Sequence, residues 1–341
     1  MKAAVLREFG KPLSVEELPM LAPNQGEALV QVMASGLCMT DCHIQDGIIS
    51  SVCLPFIPGH EMAGIVRAFG PDTEGNGVAV GDHVVCCIDI TCGTCPLCQW
   101  KRENLCLNRI RIGFERNGSH AEYAVVPVKN LLPISSHVSF EQAAILPDAV
   151  ACMYHAIKDS AKVQPGQWAL IFGTGGLGLQ GVQLLRHIGA KVIAAARTDA
   201  KLTLAEKLGA DLTVNTRRKN LMEEVLAATH GLGCDAAFDL VGDGNLDLMM
   251  DCVHPGGKVV ALAYGTPSFH GNFQELVIKE REIIGVRGST MENLKEVIRL
   301  VEQGTIVPSV TDVFPLERIN EALARLRESR GLSRSVIKMQ E

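Results

Sequence analysis

Four closely spaced cysteines are the strongest chemical signal in the sequence. Cys92, Cys95, Cys98 and Cys106 follow the spacing C-x2-C-x2-C-x7-C. Thiolates separated by two residues can turn toward one small ion, and four of them close a tetrahedral structural zinc site that leaves no position for a substrate. Short, regular spacing in a chain that we expect to be cytoplasmic favours a metal over disulfides. Buried free thiols and an iron–sulfur site are the alternatives at this point.

A glycine-rich segment supplies a second candidate site. Gly173-Thr174-Gly175-Gly176-Leu177-Gly178 follows an apolar run typical of a strand and precedes a helical pattern. Glycine permits the tight turn and lets backbone N–H groups approach a pyrophosphate at the start of a helix. The pattern alone is weak, but in this context it predicts dinucleotide binding rather than a purely structural turn.

The end of the next predicted strand bears on the choice between NADP and NAD. An acidic residue there would hydrogen-bond the ribose 2′-hydroxyl of NAD, whereas this chain has Ala195-Ala196-Arg197-Thr198. Without a carboxylate, repulsion toward a 2′-phosphate is removed, and Arg197 can hold that group with its planar fork. We therefore predict cofactor contacts at Ala196 and Arg197 and a preference for NADP, with NAD as the alternative. A solvated arginine at a strand end is the other interpretation, and it is the one we favour for Arg217 and Arg218.

The composition limits the class of protein. The 341 residues are enough for about two domains, and 47% hydrophobic with 21% charged residues is ordinary for a soluble globular protein. The net charge of −6 argues against a nucleic-acid surface. No apolar run approaches the roughly 20 residues of a membrane span, and the charged Arg7 comes too early for a signal peptide. We expect a cytoplasmic protein with no nucleic-acid or membrane partner.

The elements that must position these residues change in character near Ser139. Residues 1 to about 135 carry short alternating apolar runs broken by turns, which predict a β-rich, partly open barrel without a helix of useful length. A capping box at Ser139 predicts a helix that Pro147 interrupts. From Gly166 six apolar strands alternate with helical stretches, a pattern that predicts a parallel, doubly wound sheet. We expect the last fifty or so residues, which end in an extended segment, to return to the first domain.

Two earlier motifs complete a family pattern. Cys38-Met39-Thr40-Asp41-Cys42-His43 and Gly59-His60-Glu61-Met62-Ala63-Gly64 precede the four cysteines and the glycine-rich loop. In this order the four segments resemble the zinc-dependent alcohol dehydrogenases of the medium-chain dehydrogenase/reductase family over nearly the whole chain. The resemblance implies an α/β protein: a Rossmann doubly wound parallel sheet domain, residues 148–289, plus a β-rich GroES-like catalytic zinc-binding domain, residues 1–147 and 290–341.

The resemblance also implies a second, catalytic zinc ion. Carried over by position, Cys38 and His60 are two of its ligands, and Asp148, six residues before Tyr154, is the third. Cys152 lies one helical turn further and is a competing candidate. Glu61 corresponds to an acid beside the metal that can replace water as a transient fourth ligand; its other interpretation is a buried partner for a nearby cation.

Three further residues take roles only through the resemblance. Thr40 corresponds to a hydroxyl that takes the proton of the alcohol, and His43 to an imidazole that passes it toward solvent. Taken alone, both are ordinary turn residues. Arg334 corresponds to an arginine that contacts the cofactor pyrophosphate in some members, and a surface arginine is the alternative.

The activity implied is that of a zinc-dependent alcohol dehydrogenase or carbonyl reductase. Such an enzyme would hold two zinc ions per chain and transfer a hydride between a small alcohol and NADP(H), or NAD(H), as a homodimer or homotetramer. A polyol or sugar dehydrogenase of the same family is the enzymatic alternative. A non-catalytic zinc-ribbon binding module is the alternative from another class, although the acidic net charge and the nucleotide loop argue against it.

Overall fold

The chain folds into two compact units. A computed structural model describes residues 1–242, 244–263 and 272–339. The first unit comprises Met1–Ala151 with Ser289–Glu341, and the second comprises Cys152–Gly288. Within the described ranges, no helix combines the length and the apolar character that crossing a membrane requires.

Strands and helices account for most of the described residues. The strands are β1 Lys2–Val5, β2 Ser14–Glu17, β3 Glu27–Leu37, β4 Glu61–Phe69, β5 His83–Cys86, β6 Asp89–Ile90, β7 Ile110–Arg111, β8 Tyr123–Pro127, β9 Leu131–Pro133, β10 Trp168–Phe172, β11 Lys191–Ala196, β12 Leu212–Asn215, β13 Cys234–Asp239, β14 Val253–Ala261, β15 Glu282–Gly285, β16 Val310–Pro315 and β17 Arg334–Lys338. The helices are α1 Met39–Gln45, α2 Pro96–Gln99, α3 Phe140–Ala144, α4 Ala151–His155, α5 Gly178–Ile188, α6 Asp199–Lys207, α7 Leu221–Ala228, α8 Leu246–Cys252, α9 Phe273–Ile278, α10 Met291–Glu302 and α11 Ile319–Arg327.

The second unit is built on a six-stranded parallel sheet. Its strand order is β12-β11-β10-β13-β14-β15, so the chain runs outward from β10 in one direction and then in the other. In such a sheet the crevice beyond the carboxyl ends of the strands, at the point where the order reverses, is the ligand site. The glycine-rich loop follows β10 directly and therefore lies at this position. The predicted parallel, doubly wound sheet is confirmed.

The first unit is β-rich, as predicted. Its main sheet has the order β16-β17-β3-β4-β5-β9, and β8 also pairs with β3. The eleven-residue strand β3 is antiparallel to both β4 and β17, with Gly36 opposite Glu61 on one side and Val336 on the other. These pairings bring three parts of the chain that are far apart in sequence to one end of the sheet.

Two local features differ from or refine the sequence prediction. The seven-residue helix α1 was not predicted, because two turns are too short to show helical periodicity; the Asp41 carboxylate satisfies the free N–H of Cys38 at its start, at 2.8 Å. Ser139 caps α3 by accepting from the N–H of Gln142 at 3.2 Å. Helix α3 ends before Pro147, which lies near the start of a π-helical turn, Leu146–Val150.

Candidate active site and metal centres

The four closely spaced cysteines surround a common point. Their Sγ atoms are separated by 3.4 Å (Cys92–Cys106), 3.6 Å (Cys95–Cys98), 3.9 Å (Cys95–Cys106) and 4.0 Å (Cys92–Cys98). A tetrahedral zinc ion with Zn–S bonds of about 2.3 Å requires sulfurs about 3.8 Å apart, so the donor set fits this metal. Backbone hydrogen bonds from Thr94 and Cys95 lower the pKa of Cys92 to about 5 and favour the thiolate. The structure has no disulfide at any of the twelve cysteines, all of which lie within the described residues.

A second group of metal-binding side chains lies in the same unit. One donor atom from each of Cys38, His60, Glu61 and Asp148 lies within 4.8 Å of the other three. Cys38 precedes α1, His60 and Glu61 stand at the start of β4, and Asp148 projects from the π-helical turn. The structure thus brings together the three residues predicted as catalytic ligands and the predicted transient ligand. The competing candidate Cys152 is buried in α4 and is not part of this group.

Asp41, to which the sequence assigned no role, orients His60. Its Oδ1 lies 3.6 Å from His60 Nδ1, so His60 Nε2 faces Asp148, at 3.6 Å from Oδ2. Burial raises the pKa of the Asp41 carboxyl, but the neighbouring His60 and His120 together lower it by more than burial raises it. The group is therefore ionised. A carboxylate behind one ring nitrogen leaves the other free to bind a metal. The local signal for Asp41 was its position three residues after Cys38.

The negative groups of this cluster favour a cation. Burial lowers the pKa of His60, yet Asp41, Asp148 and Cys38 together raise it well above its ordinary value of 6.5. The same field that holds a proton on the imidazole favours a metal ion in the proton's place. A thiolate, an imidazole and a carboxylate form a donor set that suits zinc. The residues present therefore fit a catalytic zinc ion.

Arg334 belongs to this cluster in a way the sequence did not predict. Its Nε donates to Glu61 Oε2 at 3.1 Å, and its terminal nitrogen pairs with both Glu61 Oε1 and Asp148 Oδ2, the latter at 3.0 Å. Arg334 is 4% exposed and Glu61 is 0% exposed. Glu61 thus has the buried cation partner that was the alternative to its ligand role. The contact between Arg334 and a pyrophosphate stays a prediction.

A loop before β8 encloses His60 from another side. The Phe114 ring lies 5.2 Å from the His60 ring, and the guanidinium of Arg111 lies 4.0 Å above the Phe114 ring. Gly113 permits this approach, because a Cβ there would lie 2.9 Å from His60 Cβ. These contacts link residues some fifty positions apart, and no local pattern reveals them.

Thr40 and His43 both lie on α1. Thr40 Oγ1 is 3.4 Å from Cys38 Sγ, and His43 follows three residues later, close to one helical turn. Burial lowers the pKa of His43 below its ordinary value of 6.5, although Asp46 raises it. Near neutral pH this imidazole is uncharged and can accept a proton.

The glycine-rich loop is open where a phosphate would approach. A Cβ at Gly175 would meet no atom within 4 Å, whereas one at Gly173 would lie 2.8 Å from Val241 Cγ2. Thr174 is 1% exposed, and its Oγ1 lacks a hydrogen-bond partner among the described residues. Leu177 and Gly178 lead into α5. An orphaned hydroxyl beside an open backbone fits a bound pyrophosphate.

The ends of β11 and β12 are rich in cations. Arg197 is exposed directly after β11. Lys201, which the sequence prediction missed, is close enough that burial and the charge of Arg197 together lower its pKa. Asp199 accepts from Asn215 Nδ2 at 2.6 Å and pairs with Arg218 at 3.0 Å, which neutralises the nearest carboxylate.

Comparison with known proteins agrees with this geometry. Residues 24–136 match the alcohol dehydrogenase GroES-like domain, and residues 176–303 match the zinc-binding dehydrogenase domain. An alcohol dehydrogenase of Geobacillus stearothermophilus is 32% identical over 341 residues, covering 99% of this chain and 100% of the relative. The chain belongs to the zinc-dependent alcohol dehydrogenases of the medium-chain dehydrogenase/reductase family.

Solved structures of alcohol dehydrogenases and related enzymes are similar over the full length. A crystal structure of an NAD-dependent alcohol dehydrogenase superposes with a TM-score of 0.95 at 32% identity and covers 100% of both chains. A zinc-binding dehydrogenase from Sinorhizobium meliloti 1021, solved with NADP bound, has a TM-score of 0.91 at 27% identity and covers 99% of each chain. Like other zinc-dependent alcohol dehydrogenases, this protein is an oxidoreductase. The non-catalytic zinc-ribbon alternative is therefore excluded.

Proposed function

We propose that this enzyme interconverts a small alcohol and its aldehyde or ketone with NADP(H), at a zinc ion held by Cys38, His60 and Asp148. The observation that carries the proposal is the convergence of these three donor atoms, together with that of Glu61, within 4.8 Å. When bound there, zinc supplies a Lewis acid that polarises the substrate oxygen.

The charges around the three ligands are balanced for this chemistry. The Cys38 thiolate and the Asp148 carboxylate together offset the two positive charges of the ion, and His60 contributes a neutral nitrogen. Glu61 adds no net negative charge, because Arg334 pairs with it. The Arg334 guanidinium also contacts Asp148. Burial raises the pKa of Cys38, but Arg334 and His60 together lower it below its ordinary value. The pocket can therefore accept an alcohol with developing negative charge on its oxygen.

The proton of the alcohol needs a route to solvent. Thr40 lies beside the Cys38 sulfur, and His43 lies one turn later on the same helix. We propose that the Thr40 hydroxyl accepts this proton as it releases its own toward His43, and that the uncharged His43 ring takes up that proton and gives it to solvent. A half-buried imidazole suits the last step, because it is sheltered at one nitrogen and can exchange a proton with water.

The preference for NADP is supported by the charge at the ends of β11 and β12. Arg197 is exposed, Lys201 stands beside it, and Asp199 is engaged by Arg218. Two neighbouring cations at this strand end favour a 2′-phosphate. The relative from Sinorhizobium meliloti was solved with NADP, whereas another similar dehydrogenase is NAD-dependent. Family membership alone does not choose between the two cofactors.

The experiment is a substrate panel run with both cofactors. Initial rates of nicotinamide reduction are measured with primary, secondary and aromatic alcohols and with polyols. We expect a higher kcat/KM with NADP than with NAD and a higher kcat/KM for simple alcohols than for polyols. An equal or higher kcat/KM with NAD contradicts the cofactor proposal, and a higher kcat/KM for polyols or sugars supports the alternative enzyme. We also expect a homo-oligomer, which the mass in solution tests.

A further inference from the structure

A buried chain of polar groups runs from Ser119 to the proposed zinc ligand His60. Ser119 Oγ lies 2.7 Å from Ser35 Oγ, which lies 2.9 Å from His120 Nδ1. On the other side of its ring, His120 Nε2 lies 3.5 Å from Asp41 Oδ1. The same carboxylate oxygen lies 3.6 Å from His60 Nδ1.

The residues that form this chain of contacts are buried, so their polar atoms must find partners within the protein. Ser35, Ser119 and His120 are 0% exposed. Among the described residues, neither His120 Nε2 nor His60 Nδ1 has a hydrogen-bond partner at normal distance. Both face Asp41 Oδ1. Because a buried polar group without a partner is destabilising, both rings are held toward that oxygen.

The protonation of His120 follows from the network. If Ser119 donates to Ser35, then Ser35 donates to His120 Nδ1, and the proton of the neutral ring lies on Nε2. If Ser119 instead donates to the Glu61 carbonyl, 3.4 Å away, His120 Nδ1 must donate to Ser35. A bare Nε2 would then face the Asp41 carboxylate, which accepts but cannot donate, so the first arrangement is favoured. Nε2 therefore presents an N–H to Asp41.

We propose that His120 is a positioning residue for His60. Its Nε2–H holds the Asp41 carboxylate against His60 Nδ1, so that His60 Nε2 stays directed into the metal cluster. This inference rests on the proposed catalytic zinc site. Gly59, directly before His60, is packed against His120: a Cβ at Gly59 would lie 2.7 Å from His120 Nδ1. The His120 imidazole therefore positions both the backbone at Gly59 and the Asp41 carboxylate.

The test measures zinc retention in the full-length enzyme. Zinc release from the wild type, His120→Leu and His120→Gln is followed with a chromophoric chelator, and the Cys92 to Cys106 site is the internal reference. We expect the more readily released of the two zinc ions to dissociate about 10- to 100-fold faster from His120→Leu than from the wild type. Loss of a residue that supports a zinc-bound histidine typically weakens metal binding by this factor. His120→Gln retains an N–H donor and should recover much of the retention. The four-cysteine zinc should leave at an unchanged rate.

Control variants separate positioning from packing. His83→Leu makes the same substitution at a histidine of β5 whose ring packs on Phe140, and it should not change zinc release. If His120→Leu does not fold, Ser35→Ala, which removes the hydroxyl on His120 Nδ1, should still speed release of the same ion. A cobalt-substituted enzyme adds a spectroscopic readout, because a displaced His60 alters the ligand-field bands.

Two results would overturn the inference. One is a rate of release in His120→Leu equal to that of the wild type. The other is an equal acceleration in His120→Gln and His120→Leu, which would show that ring packing and not the N–H donor is responsible. A wild type that binds only one zinc per chain would instead contradict the proposed catalytic site itself, so the two failures are distinguishable.

Discussion

Arg334 Nε lies 3.1 Å from Oε2 of Glu61, and both side chains are almost completely buried. The pair joins the first residue of β17 to the first residue of β4, two strands that flank β3 on opposite sides. A buried carboxylate beside a metal centre would otherwise add negative charge to that centre. Its pairing with Arg334 offsets that charge, and the role of Glu61 as a transient ligand stays a prediction.

Removal of this arginine should destabilise the first unit. In Arg334→Gln the Glu61 carboxylate loses its cation, and breaking a buried pair in this way costs about 3–5 kcal/mol. The free energy of unfolding in urea measures the effect, and the double variant Arg334→Gln with Glu61→Gln should recover part of it. Arg318→Gln breaks an exposed pair with Glu321 and should change the stability little. Equal effects at the two arginines would show that the buried pair is not important.

Gly36 is required by the close approach of Glu61. A Cβ at Gly36 would lie 2.8 Å from Glu61 Cβ and still closer to its carboxylate. Gly36→Ala should therefore cost about 1–3 kcal/mol of stability through displaced neighbours. Gly285→Ala is the matched control, because a Cβ at this other strand glycine meets no atom within 4 Å. Thermal unfolding of the two variants measures this difference in stability. A Gly36→Ala protein as stable as Gly285→Ala would contradict the prediction.

The sequence predicted the parts of the fold and the site that short-range patterns encode, and it missed those that depend on contacts between distant segments. The glycine-rich loop follows a strand, β10, as expected, because periodicity and turn chemistry are short-range. The four cysteines are likewise close in sequence. The contacts of Arg334 with Glu61 and of His120 with Asp41 depend on strand pairing between distant segments, so no local pattern encodes them. Catalytic ligands were inferred only through the family resemblance.

Arg197 should control the choice of cofactor. Arg197→Ala removes a charged hydrogen bond worth about 1.5–3 kcal/mol, so kcat/KM for NADP should fall about 10- to 100-fold. The value for NAD should stay the same or rise. Arg217→Ala, at an exposed residue after β12, is the control and should leave both values unchanged. A loss with both cofactors in Arg197→Ala would indicate a structural role.

His43 should govern the dependence of alcohol oxidation on pH. Because burial lowers the pKa of His43, its ring is neutral near pH 7 and becomes protonated as the pH falls through a value below 6.5. The wild-type kcat should therefore fall in that acidic range. His43→Ala should lower kcat most above that range, where the wild-type ring is neutral and accepts the proton, and the two rates should converge as the pH falls. If the pH–rate profiles of the two proteins have the same shape, His43 is not in the relay.

The most direct test is to count zinc per chain together with activity in the wild type and in Cys38→Ser. We predict two zinc ions in the wild type and one in Cys38→Ser, retained by the four-cysteine site, with kcat/KM reduced about a thousandfold or more because several kcal/mol of charge stabilisation are lost. Cys53→Ser, at an exposed thiol, should keep both ions and full activity. A fully active wild type with a single zinc, confined to the four-cysteine site, would contradict the account.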